Sequence, residues 1–212
     1  KKTKTTLCAA SIALAMSAAC ASQAKTRLTV SGLNPRRFAS TVMGKKTNLI
    51  TLTNKNGMEA CITNYGARVV SLCVPDKNGK PTDVVLGFDN IHQYADTLNT
   101  PSYFGACVGR YANRIKGAKL LVGGKVYSLR ANDNGNSLHG GGKTGWANKV
   151  YDVKAKTDSS AVFTITSPDG DNGFPGTVNA QVTYTVRRDN TLDIAFSATT
   201  DKETVVNMIN HS

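Results

Sequence analysis

Apolar and polar residues alternate with a period of two along most of the chain after residue 46, which is the spacing of half-buried β-strands. Hairpins are predicted where two such runs flank a dipeptide that favours a tight turn: Asn56-Gly57, Asn78-Gly79 and Gly123-Gly124. The same alternation continues in three later segments, residues 150–167, 177–200 and 203–210. A helical turn is expected only at "NIHQYAD". The pattern therefore predicts an all-β protein, a sandwich or barrel of short antiparallel strands.

The first 24 residues differ from the rest of the chain. Lys1, Lys2 and Lys4 precede the apolar run "LCAASIALAM", and small residues follow in "SAACASQA". This order is typical of a secretory signal peptide, which we predict over residues 1–24. Alternatively the leader ends before Cys20, and lipidation of that cysteine would anchor the chain to a membrane. Either leader predicts an exported protein, periplasmic or lipid-anchored to the outer membrane.

The rest of the chain is predicted to form one domain with a lead-in. Residues 25–46 are polar without a clear period, so we expect an irregular segment on the surface. Residues 47–212 carry the β pattern with no linker inside it. The last β-rich run ends in "NMINHS" without a closing element. Because an unpaired final strand is a liability, we expect a C-terminally truncated fragment that holds the N-terminal part of its sandwich.

The charge of the chain does not favour nucleic acid as a partner. The formal net charge is +12, and loss of residues 1–24 with their three lysines would lower it to about +9. The basic residues are scattered, with no run of five and no interleaved aromatic residues, so solvated strand faces explain them better. A membrane is expected as a partner only through an anchor at Cys20.

Three cysteines follow the predicted leader, Cys61, Cys73 and Cys107, and each lies in an apolar setting. One pair could form a disulfide in an oxidising compartment, but buried thiols fit the apolar settings better. The absence of a C-x-x-C pair argues against a zinc site.

The glycine-rich segment "NSLHGGGKTGW" superficially suggests a phosphate-binding loop. Such a loop needs a glycine at position 137, where this chain has Ser137, and it also needs a helix after the lysine. Lys143 and Thr144 are therefore expected to be ordinary loop residues, with Trp146 packed beneath the loop.

A second glycine-rich segment, "SPDGDNGFPG", brings Asp169, Asp171 and Asn172 together. Calcium is one candidate ligand for these oxygens. The spacing departs from an EF-hand loop, however, and no glutamate follows at the required distance. A rigid, turn-rich surface loop is therefore favoured.

The chain has three histidines, and two of them are candidates for chemistry. His92 is predicted to be exposed in a helical turn. His139 lies in a glycine-rich loop and His211 follows a β run, so either could exchange protons near neutral pH, with a structural loop role as the alternative. Arg110 and Arg114 lie in an apolar segment and would need partners there, either core ion pairs or a ligand with several hydroxyls.

Several segments together resemble the aldose 1-epimerase (galactose mutarotase) family. In chain order they are "TNYGARVVSLCVPDKNG", "DVVLGFDN", "FGACVGRYANRI", "NSLHGG", "SPDGDNGFPG" and "NMINHS", and the resemblance extends over about residues 31–212. The leader and "VSGLNP" make the chain similar to the secreted bacterial branch. The resemblance implies a large antiparallel β-sandwich, the galactose mutarotase-like supersandwich, incomplete in this chain. It also implies a sugar site in a cleft across the sheet.

The resemblance further implies a reaction. Family members interconvert the α and β anomers of free aldoses such as galactose and glucose without a metal or organic cofactor. A glutamate takes the proton of the anomeric hydroxyl, and a histidine protonates the ring oxygen. Matched by motif, His211 is the general acid, His139 assists it and binds the sugar, and Asn113 with Arg114 binds the sugar. A monomer with a free monosaccharide as its partner is expected.

The family's general base has no match in this sequence. Its glutamate and a sugar-binding aspartate lie beyond the "NHS" motif, and Glu203 corresponds to no catalytic position. The resemblance therefore predicts little or no activity for this chain alone.

Two other functions stay open. An epimerase-like enzyme of the same fold could act on phosphorylated hexoses, which would require basic residues at the rim of the cleft. A non-catalytic carbohydrate-binding sandwich is the other alternative. Such modules usually present aromatic platforms, whereas this chain is 7% aromatic with one Trp.

Overall fold

The computed structural model describes residues 27–212, and the predicted leader with Cys20 lies outside the described residues. The described chain consists mainly of antiparallel strands. In chain order the strands are β1 (Ser40–Val42), β2 (Lys45–Thr47), β3 (Leu49–Thr53), β4 (Glu59–Thr63), β5 (Arg68–Pro75), β6 (Pro81–Asp83), β7 (Ala106–Val108), β8 (Arg114–Ile115), β9 (Lys119–Val122), β10 (Lys125–Ser128), β11 (Ser137–Leu138), β12 (Asp152–Lys156), β13 (Ser160–Ser167), β14 (Val178–Val186), β15 (Leu192–Thr200) and β16 (Ile209–His211). Helix α1 spans Ile91–Ala95, as predicted for "NIHQYAD". Between residues 27 and 212, no helix combines the length and the hydropathy needed to cross a bilayer.

The first four-stranded sheet has the order β3-β4-β5-β6. Asn56-Gly57 lies between β3 and β4, and Asn78-Gly79 lies between β5 and β6, which confirms both predicted hairpins. The φ angles of Gly57 and Gly79 are 86° and 77°, left-handed values that glycine adopts without a steric penalty. Strands β9 and β10 form a separate hairpin at the third predicted turn, Gly123-Gly124.

The second four-stranded sheet has the order β12-β13-β14-β15. Along β14, buried side chains alternate with more exposed ones, which is the period-two pattern of the sequence. The inward-facing residues of both sheets share one hydrophobic core, which includes Leu52, Ile62, Phe163 and Val182. The predicted all-β antiparallel sandwich is therefore confirmed.

The segment predicted as an irregular lead-in over residues 25–46 is irregular over residues 27–34, but it has regular structure from Pro35 onward, where the prediction is wrong. A 3-10 turn (Pro35–Phe38) precedes the β1–β2 hairpin. Phe38 is fully buried in a cluster with Ile91 and Tyr94. This one aromatic side chain, buried against residues far along the chain, fixes the segment where local periodicity gives no signal.

Only the end of the strand predicted over residues 203–210 is a strand. It is β16, which pairs with β7 instead of extending the second sheet. Before it, Asn207 N donates to the Arg110 carbonyl oxygen at 3.0 Å, and Ala112 N donates to the Asn207 carbonyl oxygen at 2.9 Å. These bonds to a loop use the backbone groups that a sheet partner would need, so the segment before β16 is irregular.

Two buried arginines connect the sandwich to loops at one end. Arg68 on β5 is 0% exposed and donates to the carbonyl oxygens of Ser102, Phe104 and Ala147 at 3.0, 3.2 and 2.8 Å. Arg110 is 1% exposed. Its guanidinium donates to carbonyl oxygens of the turn-rich loop, those of Ser167, Pro168, Pro175 and Gly176. Carbonyl oxygens, and not the carboxylates of core ion pairs, are therefore the main acceptors for Arg110, whose Nε has no hydrogen-bond partner among the described residues.

The assigned core predicts that substitutions of two phenylalanines lower the free energy of unfolding by different amounts. Phe163 is 0% exposed and edge-on to Tyr184, whereas Phe196 on β15 is 36% exposed. Phe163→Ala is expected to lower the free energy of unfolding by about 3–5 kcal/mol, because it opens a cavity between the sheets. Phe196→Ala should cost less than about 1 kcal/mol. Urea unfolding followed by Trp146 fluorescence measures both losses, and equal losses would contradict the assigned core.

Candidate active site

His139 lies at the end of a short ladder between β8 and β11. Leu138 pairs with Arg114, and His139 N continues the contact by donating to the Asn113 carbonyl oxygen at 3.0 Å. Asn113 and His139 both have left-handed φ angles, 63° and 52°. Such angles are uncommon for residues other than glycine, and they occur often at functional sites, where surrounding contacts hold them.

One hydrogen bond determines the protonation of the His139 ring. Asn113 N–H donates to Nδ1 at 3.0 Å, so Nδ1 carries no proton and Nε2 is the protonated nitrogen. Burial lowers the pKa of His139, and the neighbouring His211 and Arg114 lower it further. His139 is therefore a neutral imidazole near pH 7, with one N–H donor to offer.

His211 is the last residue of β16, whereas the sequence placed it just after a β run. The preceding Asn210 is anchored in the core, where its Nδ2 donates to the Gly105 carbonyl oxygen at 2.7 Å and to the Tyr184 hydroxyl at 3.0 Å. The His211 ring meets the His139 ring edge-on, with 5.2 Å between centroids and 87° between planes. The fold thus brings the two predicted site histidines into contact.

Arg114 is the cation of this site. Its Nε donates to Asp133 Oδ2 at 2.6 Å, and its backbone N donates to Asn113 Oδ1 at 2.8 Å. The Arg114 side chain is 54% exposed, so solvent weakens the ion pair. All four residues predicted for the site, His139, His211, Asn113 and Arg114, lie together at this end of the sandwich, and their roles stay predictions.

The glycine-rich loop is closely packed. Trp146 is 1% exposed and lies against Gly109, where a Cβ would approach the indole to 2.1 Å. At Gly140, with φ of 70°, a Cβ would lie 2.1 Å from the Gly109 carbonyl oxygen. Thr144 hydrogen-bonds Asn172 of the turn-rich loop. These contacts confirm that Trp146 packs beneath the loop. They also show that residue 140 is glycine because the loop is closely packed there, and not because it binds phosphate.

The other residues singled out in the sequence lie elsewhere. His92 is exposed on α1. Glu203 is exposed beside the β9–β10 turn, where its carboxylate faces Gly123. The three described cysteines are buried and free, as expected from their apolar settings: Cys61, Cys73 and Cys107.

The turn-rich loop does not direct its carboxylates to a common point. Asp171 pairs with Lys149 at 2.7 Å, and Asp169 pairs with Lys202 at 2.6 Å. Each carboxylate has its own lysine, so the geometry does not favour the calcium considered for this loop. In the part of the chain that the structure describes, no three potential metal-ligating side chains come together.

Two residues of the site, Tyr103 and Asp133, were not predicted from the sequence. The Tyr103 ring lies 4.7 Å from the His139 ring and 5.7 Å from the His211 ring. Asp133 pairs with Arg114. Tyr103 is the first residue of the segment "YFGACVGRYANRI", and Asp133 lies in the "NDNGN" turn before His139. Neither position carries a motif of its own, because the pairing of β8 with β11 brings Asp133 to the site and the bonds of Arg68 to the neighbouring carbonyl oxygens place Tyr103.

Two cavities flank the Tyr103 ring. One of about 370 Å³ has Arg130 and Lys143 in its lining and no carboxylate among the described residues that line it. The other, of about 390 Å³, is lined by Tyr103, Phe104 and His211 among others. Both volumes lie in the range of small-molecule sites, so the end of the sandwich that carries the histidines has room for a ligand.

The model of the aldose 1-epimerase family matches residues 48–212. The aldose 1-epimerase of Escherichia coli K12 is 34% identical over 168 residues, which cover 79% of this chain and 47% of that protein. The galactose mutarotase of Mus musculus is 41% identical over 151 residues, which cover 71% of this chain and 42% of that protein. The chain thus spans about half the length of the curated relatives it matches.

Solved structures agree with this similarity. The crystal structure of a GalM/aldose epimerase homologue from C. elegans has a TM-score of 0.73 at 36% identity and covers 78% of this chain and 50% of its own. The crystal structure of galactose 1-epimerase from Lactobacillus acidophilus NCFM has a TM-score of 0.70 at 28% identity, covering 81% of this chain and 50% of its own. The similarity of fold therefore extends over most of this chain.

The bond to Nδ1 predicts a specific titration of His139. Because its folded pKa is lower than that of an unfolded histidine, protonation of His139 destabilises the folded chain as the pH falls below about 6.5. The Nε2–H tautomer should predominate at neutral pH, and His211→Gln should raise the His139 pKa by removing a neighbouring charge. Histidine ¹⁵N NMR measures the His139 tautomer, and it measures the His139 pKa in the unmodified chain and in His211→Gln. His92→Gln is the control. A His139 midpoint above about 6.5 would contradict the geometry.

Proposed function

This chain belongs to the aldose 1-epimerase family, and we propose that the protein it comes from interconverts the α and β anomers of free aldohexoses such as galactose and glucose. The observation that carries the proposal is the unequal pair of histidines near Arg114. Asn113 holds one ring as a neutral donor. Within residues 27–212, nothing hydrogen-bonds the imidazole of the other, His211, so both of its nitrogens can exchange protons.

The two histidines suit different tasks. His139 can donate its Nε2–H to a sugar oxygen without losing the proton, which fits an assisting and sugar-binding role. His211 suits the general acid, because no described partner holds it in one tautomer. Because Asn113 holds His139 in one tautomer and no described group hydrogen-bonds the His211 ring, we assign the proton transfer to His211.

In the proposed reaction His211 protonates the ring oxygen while a carboxylate takes the proton of the anomeric hydroxyl. The bond between C1 and the ring oxygen breaks, and the C1 oxygen becomes a carbonyl. Rotation about C1–C2 presents the other face of the carbonyl, and the reverse proton transfers close the ring as the other anomer. Asn113 and Arg114 bind sugar hydroxyls, and no cofactor takes part.

The proposed base is a carboxylate that the described residues do not supply. Asp133 is paired with Arg114, and Glu203 lies beside the β9–β10 turn. We therefore expect the base to come from a part of the full-length protein outside this 212-residue chain. The coverage of about half of the relatives' length supports this expectation.

Polarimetry on freshly dissolved α-D-galactose tests the proposed site. The 212-residue chain alone should not accelerate mutarotation above a blank, because the proposed base lies outside it. In the full-length protein, His211→Asn should lower kcat by about 10²–10⁴-fold, the usual contribution of a general acid, while galactose still binds.

His92→Asn is the matched control for this experiment, since His92 is exposed on α1, and it should retain full activity. Acceleration by the chain alone would overturn the assignment of the base to another part of the protein. Full turnover in His211→Asn would show that the acid is another residue. Galactose binding without turnover by the unmodified full-length protein would favour the carbohydrate-binding alternative.

One observation favours a second function, an epimerase for phosphorylated hexoses. Arg130 and Lys143 line the cavity beside Tyr103, and the described residues of its lining include no carboxylate. Two cations without a competing anion would suit a phosphate group. If this function is correct, glucose 6-phosphate should react faster than glucose, and Arg130→Gln with Lys143→Gln should abolish the preference. Equal rates, or faster turnover of glucose, would support the free sugar.

A further inference from the structure

Tyr103 forms a cluster of three rings with the two histidines. Its ring centroid lies 4.7 Å from that of His139 and 5.7 Å from that of His211, with interplanar angles of 56° and 34°. The histidine rings lie 5.2 Å apart. Each ring therefore contacts the other two, at separations that favour aromatic packing.

The orientation of the His211 imidazole depends on these contacts. Asn113 holds the His139 ring through Nδ1, whereas no group within residues 27–212 hydrogen-bonds the His211 ring. Pairing of β16 with β7 fixes the backbone of His211 but leaves its side-chain rotamer to the surroundings. Tyr103 and His139 are the aromatic rings that contact the His211 imidazole in the described chain.

Tyr103 is itself anchored from both sides. Arg68 Nη1 donates to the carbonyl oxygens of Ser102 and Phe104, the residues before and after it, at 3.0 and 3.2 Å. Ala106 N donates to the Tyr103 carbonyl oxygen at 3.0 Å. The ring therefore projects from a fixed stretch of backbone.

We propose that Tyr103 is a positioning residue of this site, whose aromatic ring sets the spacing and orientation of His139 and His211 for proton transfer. Its catalytic consequence rests on the proposed function. The Tyr103 ring, and not its hydroxyl, positions the histidines, because no group in the described chain hydrogen-bonds that hydroxyl. Tyr103→Phe should therefore keep the positioning role, whereas a substitution that removes the ring should lose it.

Histidine ¹⁵N NMR of Tyr103→Phe and Tyr103→Ala tests the ring contacts directly. Tyr103→Phe should leave the signals of both His139 and His211, and the pKa of His139, unchanged. Tyr103→Ala should shift the signals of both histidines and raise the His139 pKa, because burial is the main cause of its low value. Arg114 stays in place in both variants, so its charge cancels from the comparison. The His92 signal, on α1, is the internal control and should not move.

Kinetics of the full-length protein provide the second measurement. Tyr103→Ala should lower kcat for galactose by about 10- to 100-fold, the effect of misplacing a catalytic group, with a smaller change in KM. The acid limb of its pH profile should shift with the His139 titration. Tyr103→Phe should keep both the rate and the profile of the unmodified protein.

Histidine signals that stay in place in Tyr103→Ala would overturn the proposal. A Tyr103→Phe variant as impaired as Tyr103→Ala would also overturn it, by assigning the role to the hydroxyl. If the histidine signals respond as expected and the unmodified protein has no epimerase activity, the proposed function fails and the ring contacts are upheld. If the amide and His92 signals show that Tyr103→Ala does not fold, Tyr103→Leu replaces it, since leucine fills the space without a ring.

Discussion

The buried guanidinium of Arg68 holds together the end of the molecule that carries the histidines. It is 0% exposed and lies over the rings of Tyr65 and Tyr94, at 5.5 and 5.2 Å from their centroids. Burial lowers the pKa of Arg68 because the cation is removed from water. Taking such a charge out of water costs several kcal/mol unless other polar groups replace the solvent. Here carbonyl oxygens and aromatic faces replace it, and no carboxylate is its hydrogen-bonding partner among the described residues.

The hydrogen bonds of the buried arginines stabilise a site whose own strand ladders are short. The ladders β8–β11 and β7–β16 are two and three residues long, too short to be stable alone. Arg68 joins the segment around Tyr103 to Ala147, which follows the loop of His139. Arg110 attaches the turn-rich loop in the same way. Each arginine therefore restrains the conformation of a loop, since a single guanidinium contacts several backbone carbonyls at once.

The parts of the fold that follow local chemistry could be predicted, and the parts that follow distant contacts could not. An Asn-Gly pair specifies its own turn, so the first two hairpins followed from the sequence. The burial of Phe38 depends on Ile91 and Tyr94, which no local period reveals. The site shows the same division. The site histidines could be identified because they lie in motifs that resemble those of the family. Asp133 could not, because it reaches Arg114 only through the pairing of β8 with β11.

The bond between Asn113 N–H and His139 Nδ1 also bears on the affinity of the site for transition metals. Two imidazoles with centroids 5.2 Å apart would ordinarily attract zinc, copper or nickel. A neutral imidazole that ligates a metal through Nε2 must carry its proton on Nδ1, where that proton would meet the Asn113 donor. Ligation would therefore cost either this hydrogen bond or the deprotonation of the ring. One backbone amide thus lowers the affinity of the histidine pair for adventitious divalent metals.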